Sequence, residues 1–181
     1  MKKIVLILMA ALMLFAGCSP KQEPNTIIDG KKLDDVLAHV DTKFEEKYGN
    51  PALAVLADAI NEQVLLDFYS LEAADIADMA GSYSLTMINS DTLVAVQAAE
   101  GKADKVVAAF IQRKADLEAQ FENYNVSGSY DRALAGEVYQ KGDYVFLIVV
   151  GQPSGEGMDI TYDFAGDVAM TKAAIDEMFY A

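Results

Sequence analysis

The chain has 181 residues, about half of them hydrophobic, and carries 28 acidic against 14 basic residues for a formal net charge of −14. That size and composition suit one globular domain with some extra length rather than a disordered segment. The acidity argues against nucleic-acid binding, which draws its affinity from Lys and Arg neutralising phosphates, and a single cysteine excludes an internal disulfide or a Cys-based zinc site.

Lys2 and Lys3 form a positive start, and Ile4 through Phe15 is an unbroken apolar run. It is shorter than the roughly 20 residues a membrane-spanning helix needs, and it suits the apolar region of a signal peptide, roughly 7–15 residues long. Phe15-Ala16-Gly17-Cys18 resembles a bacterial lipobox, with Phe15 where that pattern usually has Leu. Residues 1–17 are therefore expected to be a lipoprotein signal peptide, and Cys18 the lipid-attachment residue, its thiol bearing a diacylglyceryl group and its new amino terminus a palmitate-type acyl chain. Each buried acyl CH2 contributes about 0.8 kcal/mol, and two chains suffice for stable anchoring. Cleavage removes Lys2 and Lys3 and leaves 12 basic against 28 acidic residues, a charge of −16. Residues 18–29, with Pro20 and Pro24 and little apolar content, read as a flexible linker, and residues 30–181 as one extracytoplasmic domain.

Leu33, Val36, Leu37, Val40, Phe44 and Tyr48 fall at helical spacing, with Asp34 and Asp35 in the first turn where they complement the helix dipole. Gly49-Asn50-Pro51 ends that helix, and Ala52 to Leu66 reads as a second. Ser70 is an expected N-cap for a short helix through Met79, with Gly81 as its stop. Tyr83 to Ile88 and Thr92 to Ala98 read as strands around an Asn89-Ser90-Asp91 turn. Lys102 to Asn123 carries the longest helical stripe, and Asn125 to Ser129 is loop. Glu137 to Gln140 and Asp143 to Val150 form a hairpin about Lys141-Gly142, the second strand apolar enough to be covered on both faces. Gly151 to Gly157 is loop, Met158 to Phe164 alternates as a strand, and Asp167 to Tyr180 is a closing helix. The fold class is α+β: a small, mainly antiparallel sheet with packed helices, preceded by N-terminal helices.

Asp67-Phe68-Tyr69, the strand Thr92 to Ala98, the helix ending Phe121-Glu122-Asn123-Tyr124 and the hairpin Gln140 to Leu147 follow one another in an order that resembles a Gram-positive lipoprotein family, domain of unknown function 4358. Members often have a proline soon after that Tyr, where this chain has Asn125 and Val126. The resemblance spans roughly Leu66 to Gly151. It implies a lipid-anchored domain on the outer face of a Gram-positive membrane and carries no catalytic residues with it.

His39, the single histidine, sits one residue off the apolar stripe and is expected on a solvated flank. The acidic pairs Asp34/Asp35, Glu45/Glu46 and Asp75/Asp78 fit solvated helix faces, and none has the alternating loop spacing that wraps calcium. Gly151, Gly155 and Gly157 lack phosphate-loop spacing. Tyr124, Tyr130, Tyr139 and Tyr144, with Tyr162, are the candidates for a recognition surface, against the alternative that they pack on sheet and helices. The functional expectation is a membrane-anchored, non-enzymatic binding or scaffolding domain with an envelope protein as partner and no cofactor. The alternatives are a carboxylate-dependent envelope hydrolase or metal-binding enzyme, and a small-ligand carrier.

Overall fold

In the computed structural model the described residues are 25–53, 57–155 and 159–181. The expected signal peptide, Cys18 and most of the linker lie outside them. The architecture is α+β: a five-stranded, wholly antiparallel sheet of order β1-β2-β3-β5-β4 with helices on both faces.

Helix α1 (Leu33–Tyr48) follows its predicted bounds. The Lys32 amide donates to the Asp35 carboxylate at 2.9 Å to start it, and Gly49 in the left-handed conformation, φ 76°, stops it. Its stripe Leu33, Val36, Leu37, Val40 and Phe44 is buried.

The next stretch departs from expectation. Of the helix expected from Ala52 to Leu66, residues 54–56 lie outside the described residues, and the rest shows a short edge strand β1 (Ala57–Ala59) followed by α2 (Glu62–Tyr69). Asn61 sets the later start, its side chain accepting from the Val64 amide at 3.1 Å. Ser70, expected to begin a helix, ends α2 in the left-handed region at φ 55°. Of the stretch expected to be helical up to Met79, Ala73–Asp75 is a single 3-10 turn and Ile76–Met79 is instead the first half of β2 (Ile76–Ser84). Its Ala and Met favour a helix, but such propensity is a weak preference, and cross-strand pairing of Ile76–Tyr83 with Thr92–Ala98 outweighs it. Gly81 is not a helix stop but a close-approach point inside β2. It has φ 117°, and a Cβ there would stand 2.1 Å from the Leu93 carbonyl oxygen.

Strand β3 (Thr92–Ala98) and helix α3 (Ala103–Phe121) agree closely with expectation. A single turn of 3-10 helix (Val126–Gly128) and α4 (Ser129–Ala135) replace the expected loop and its continuation. The hairpin of β4 (Glu137–Lys141) and β5 (Tyr144–Val149) is present, its two-residue turn being Gly142-Asp143, one position later than expected. Met158, where the expected strand begins, lies outside the described residues; the described part of that run contributes β7 (Thr161–Tyr162), paired with β6 (Pro153–Ser154) in a separate small ladder. Phe164 already belongs to α5 (Phe164–Asp176), because Asp163 caps it by accepting from the Gly166 amide at 3.0 Å.

Two apolar clusters lie on opposite faces of the sheet. On one, Leu93, Ala95, Phe146, Ile148 and Val150 meet α1 and α5 through Val36, Val40, Phe44, Val168 and Ile175. On the other, Val94, Val96, Val145, Leu147 and Val149 meet α2, α3 and α4 through Leu65, Val106, Phe110, Leu117 and Ala133. The alternation of neighbours along β3 and β5 between the clusters explains their unbroken apolar runs: each strand is covered on both sides. The antiparallel register pairs Thr92 with Val149 at one end of the sheet and Gln97 with Tyr144 at the other. The chain is first described at the second of these ends, where the Asn25 carbonyl lies against Gly142 and residues 25–28 hydrogen-bond to the C-terminal tail. Among the described residues no helix is long and apolar enough to cross a membrane.

Candidate functional site

At the end of the sheet where β3 begins and β5 finishes, a cavity of about 310 Å³ opens between the β2–β3 loop, the 3-10 turn with α4, and the segment after β5. Its back wall is polar and buried. Arg132 on α4 lies with its Nε 2.8 Å from the Asp91 Oδ1, the side chains being 5% and 7% exposed. The guanidinium also donates to the Gly151 carbonyl at 3.3 Å and 3.2 Å, to Asn89 Oδ1 at 2.9 Å and to the Ser127 carbonyl at 3.5 Å. Asn89 completes the ring by donating to Asp91 Oδ2 at 2.9 Å, and Ser90 ties the same loop to α4 by donating to the Ser129 carbonyl at 2.7 Å.

Asp91 Oδ1 lies beside the guanidinium without a well-aligned hydrogen bond. Burial raises the Asp91 pKa above the usual carboxylate value, with Arg132 and the Asn89 hydrogen bond pulling the other way. Below this network Gln152 donates to the carbonyls of Pro51 and Ala52. Its amide reaches the fully buried Asp167, which also accepts from Lys47 and Tyr48 at 2.7 Å each.

The side walls are apolar. Phe164 is wedged beneath the pocket: a Cβ on Gly151 would meet its ring at 2.2 Å and one on Gly128 at 2.6 Å. Tyr162 stacks on Phe164 at 4.9 Å between centroids, and Arg132 sits 5.2 Å from the same ring. The two glycines are thus required by the ring, and the ring supports Tyr162 as a pocket wall. The rim is unusual for its exposure. Leu85, Met87 and Ile88, expected inside a strand, lie in the loop after β2 has ended at Ser84, and Met87 is 83% exposed. Ile160, two residues before Tyr162, is exposed as well.

Of the described residues singled out from the sequence, Tyr162 and Gly151 line the recess and the others lie elsewhere. Tyr139 and Tyr144 pack on the α1/α5 face, Tyr139 donating to Asp176 at 2.6 Å and Tyr144 meeting Phe179 edge-on. Burial and the neighbouring Asp176 push the Tyr139 hydroxyl up to about 12. Tyr130 packs against the opposite cluster, and Tyr124 is exposed just beyond α3. The four do not share one face.

His39 is half-exposed and bonds Glu177 at 2.7 Å, with Lys43 on the same carboxylate at 3.0 Å. Those two bonds hold the Glu177 pKa below its ordinary value. The Asp75/Asp78 pair divides: Asp75 is buried against Lys105 and Lys102, Asp78 is exposed. Among the described residues no three His, Cys, Asp or Glu side chains gather as a metal site.

Asp91 is the one carboxylate among the described lining residues, and the pocket brings it no histidine. What the arrangement offers is a preorganised recess rather than an acid–base pair. Sequence reasoning missed it because its parts come from four separated segments. Three apolar residues within four, Leu85, Met87 and Ile88 around Thr86, just before the Asn89-Ser90-Asp91 turn, were the available signal.

These features define an α+β domain with an open recess at one end of its sheet. Residues 52–150 match the family model described as Domain of unknown function (DUF4358), and the chain belongs to that family. No curated protein and no solved structure matches it significantly.

Proposed function

We propose that the protein is a lipid-anchored, extracytoplasmic binding domain of a Gram-positive cell envelope, and that the recess beside Arg132 is where it holds its ligand. The observation that carries this reading is the recess itself: a buried, internally bonded polar wall, with exposed Ile88 in its lining and exposed Leu85, Met87 and Ile160 on the segments that carry Thr86 and Tyr162. Exposed apolar surface beside a formed cavity is the usual mark of a binding site. The polar groups of the wall are bonded to one another, which suits holding a shape rather than moving a proton, and this favours binding over the hydrolase alternative. The anchor is supported by the Lys2-Lys3 start, the apolar run and Cys18.

The test places a photo-crosslinking amino acid at Met87 in the intact chain in living cells, alongside alkynyl fatty-acid labelling. Fatty-acid label on the parent chain and its loss in Cys18→Ala, together with a discrete crosslinked adduct that Ile88→Ser removes, are expected. An unlabelled parent chain refutes the anchor, and absence of any adduct refutes the binding role.

A further inference from the structure

The chemistry of the ligand follows from what surrounds the recess, given the binding role proposed above. The hairpin that walls it carries Asp159 and Asp163, both exposed, and the loop from Ser84 to Asp91 carries no basic residue. Among the described residues no lysine or arginine ion-pairs with Asp159, and the cation nearest Asp163, Lys47 at 4.0 Å, is held at 2.7 Å by the buried Asp167. The recess has a cation of its own in Arg132, but it is sequestered. Four of its five N–H groups are given to Gly151, Ser127 and Asn89, and Asp91 balances its charge. An anion arriving at the mouth meets acidic side chains and no free donor fork. A cation meets those same carboxylates in the field of a chain whose net charge is −14.

The size of the apolar surface adds a second constraint. The cavity has room for one large side chain, yet Leu85, Met87 and Ile160 spread beyond it and stand exposed. A small molecule confined to the cavity leaves that surface wet, whereas a polypeptide segment lying across the mouth covers it.

We propose that the recess receives a basic segment of a protein partner, one large apolar side chain seated against Ile88, Pro153 and Tyr162 and lysine or arginine beside it facing Asp159 and Asp163. The proposal is tested by selecting a displayed library of random dodecapeptides on the full lipidated chain held in phosphatidylcholine nanodiscs, with empty nanodiscs as counter-selection. Recovered peptides are then measured on Ile88→Ser and Met87→Ser, both exposed positions whose exchange leaves the core intact.

The expected result is peptides rich in Lys and Arg around an aliphatic or aromatic residue, at least tenfold weaker on Ile88→Ser and weakened by salt. Asp159→Asn with Asp163→Asn is expected to weaken them severalfold while Asp163→Asn retains a capping side chain. Pocket-dependent peptides that are acidic or uncharged overturn the ligand assignment and leave the recess as a binding site. Recovery of basic peptides indifferent to both serine exchanges overturns the placement of the ligand, and recovery of no peptide at all overturns the peptide class. A Met87 adduct in cells alongside any of these results keeps the binding role standing, so the two failures are separable.

Discussion

Arg132 is the residue on which the recess turns. It is nearly buried, it touches three segments distant in sequence, and it balances Asp91. Removing one member of a buried ion pair leaves the other without compensation, at a cost of about 3–5 kcal/mol. Arg132→Met is therefore expected to destabilise the chain by about that amount in urea unfolding, and Asp91→Leu added to it to restore most of the loss. The pH dependence has a definite sign. Burial already holds the Asp91 pKa above its ordinary value, and Arg132 is among the groups lowering it. In Arg132→Met the carboxyl holds its proton to higher pH still, so the folded state binds a proton that the unfolded chain has released. The deficit is smallest at acid pH and grows as pH rises through that window. A deficit independent of pH, or no rescue by the second exchange, would show that Asp91 is not the partner that matters.

At the level of elements, the features readable from the sequence were those whose signal is local. The apolar period of α1 and its glycine stop, the stripe of α3, and the unbroken run of β5 each contain their own explanation. The segment from Ala52 to Ile88 does not. Asp75 shows why: its carboxylate accepts from the Glu72 amide and from Lys105, with Lys102 near, so it bolts the start of β2 to the first turn of α3 thirty residues away. Read alone, Glu72 to Asp78 is acidic and alanine-rich and resembles a helix. Only the partner strand β3 and the α3 lysines make it otherwise. The recess was illegible for the same reason, since Asn89, Arg132 and Gly151 meet only after the sheet has formed. The lysine and amide contacts hold the Asp75 pKa below its ordinary value. Its stabilising contribution is thus complete above the usual aspartate pKa and is lost as pH falls toward the lowered one. Asp75→Asn is expected to flatten the acid limb of the stability profile below about pH 4, measured by urea midpoints. An unchanged acid limb would remove Asp75 from that role.

For the molecule as a whole, the family-matched stretch, residues 52–150, contains every strand of the five-stranded sheet together with α2, α3 and α4. It lacks the layer that covers one face of that sheet, because α1 and α5 both lie outside it. Phe146, Ile148, Ala95 and Leu93 are buried under those two helices. A fully buried large apolar side chain contributes about 1.5–3 kcal/mol, and several lose their cover at once without α1. A chain deleted for residues 25–48 is accordingly expected to lose cooperative unfolding and to be cleaved rapidly by protease at low concentration. Retention of a sharp transition would show that α1 is dispensable to the cooperative fold. The recess likewise straddles the boundary, one wall from the Thr86 to Asp91 loop and Arg132, the other from Gly151 to Tyr162.

The antiparallel register of β3 and β5 has a further consequence for how the protein stands on a surface. Asn25 lies beside the β4–β5 turn, and the recess opens at the far tips of the same strands, a run of about 20 Å for a six-residue strand. Six residues, hence seven Cα–Cα steps, separate Cys18 from Asn25, a leash of at most about 25 Å. With lipid on Cys18, the molecule is moored by its stern and its open mouth rides outward. Tipping that mouth down to the bilayer would lay an acidic flank against anionic headgroups, which repel it. On the anchoring proposed above, that orientation would favour visitors arriving from outside the membrane, and the short leash would limit which of them can be met.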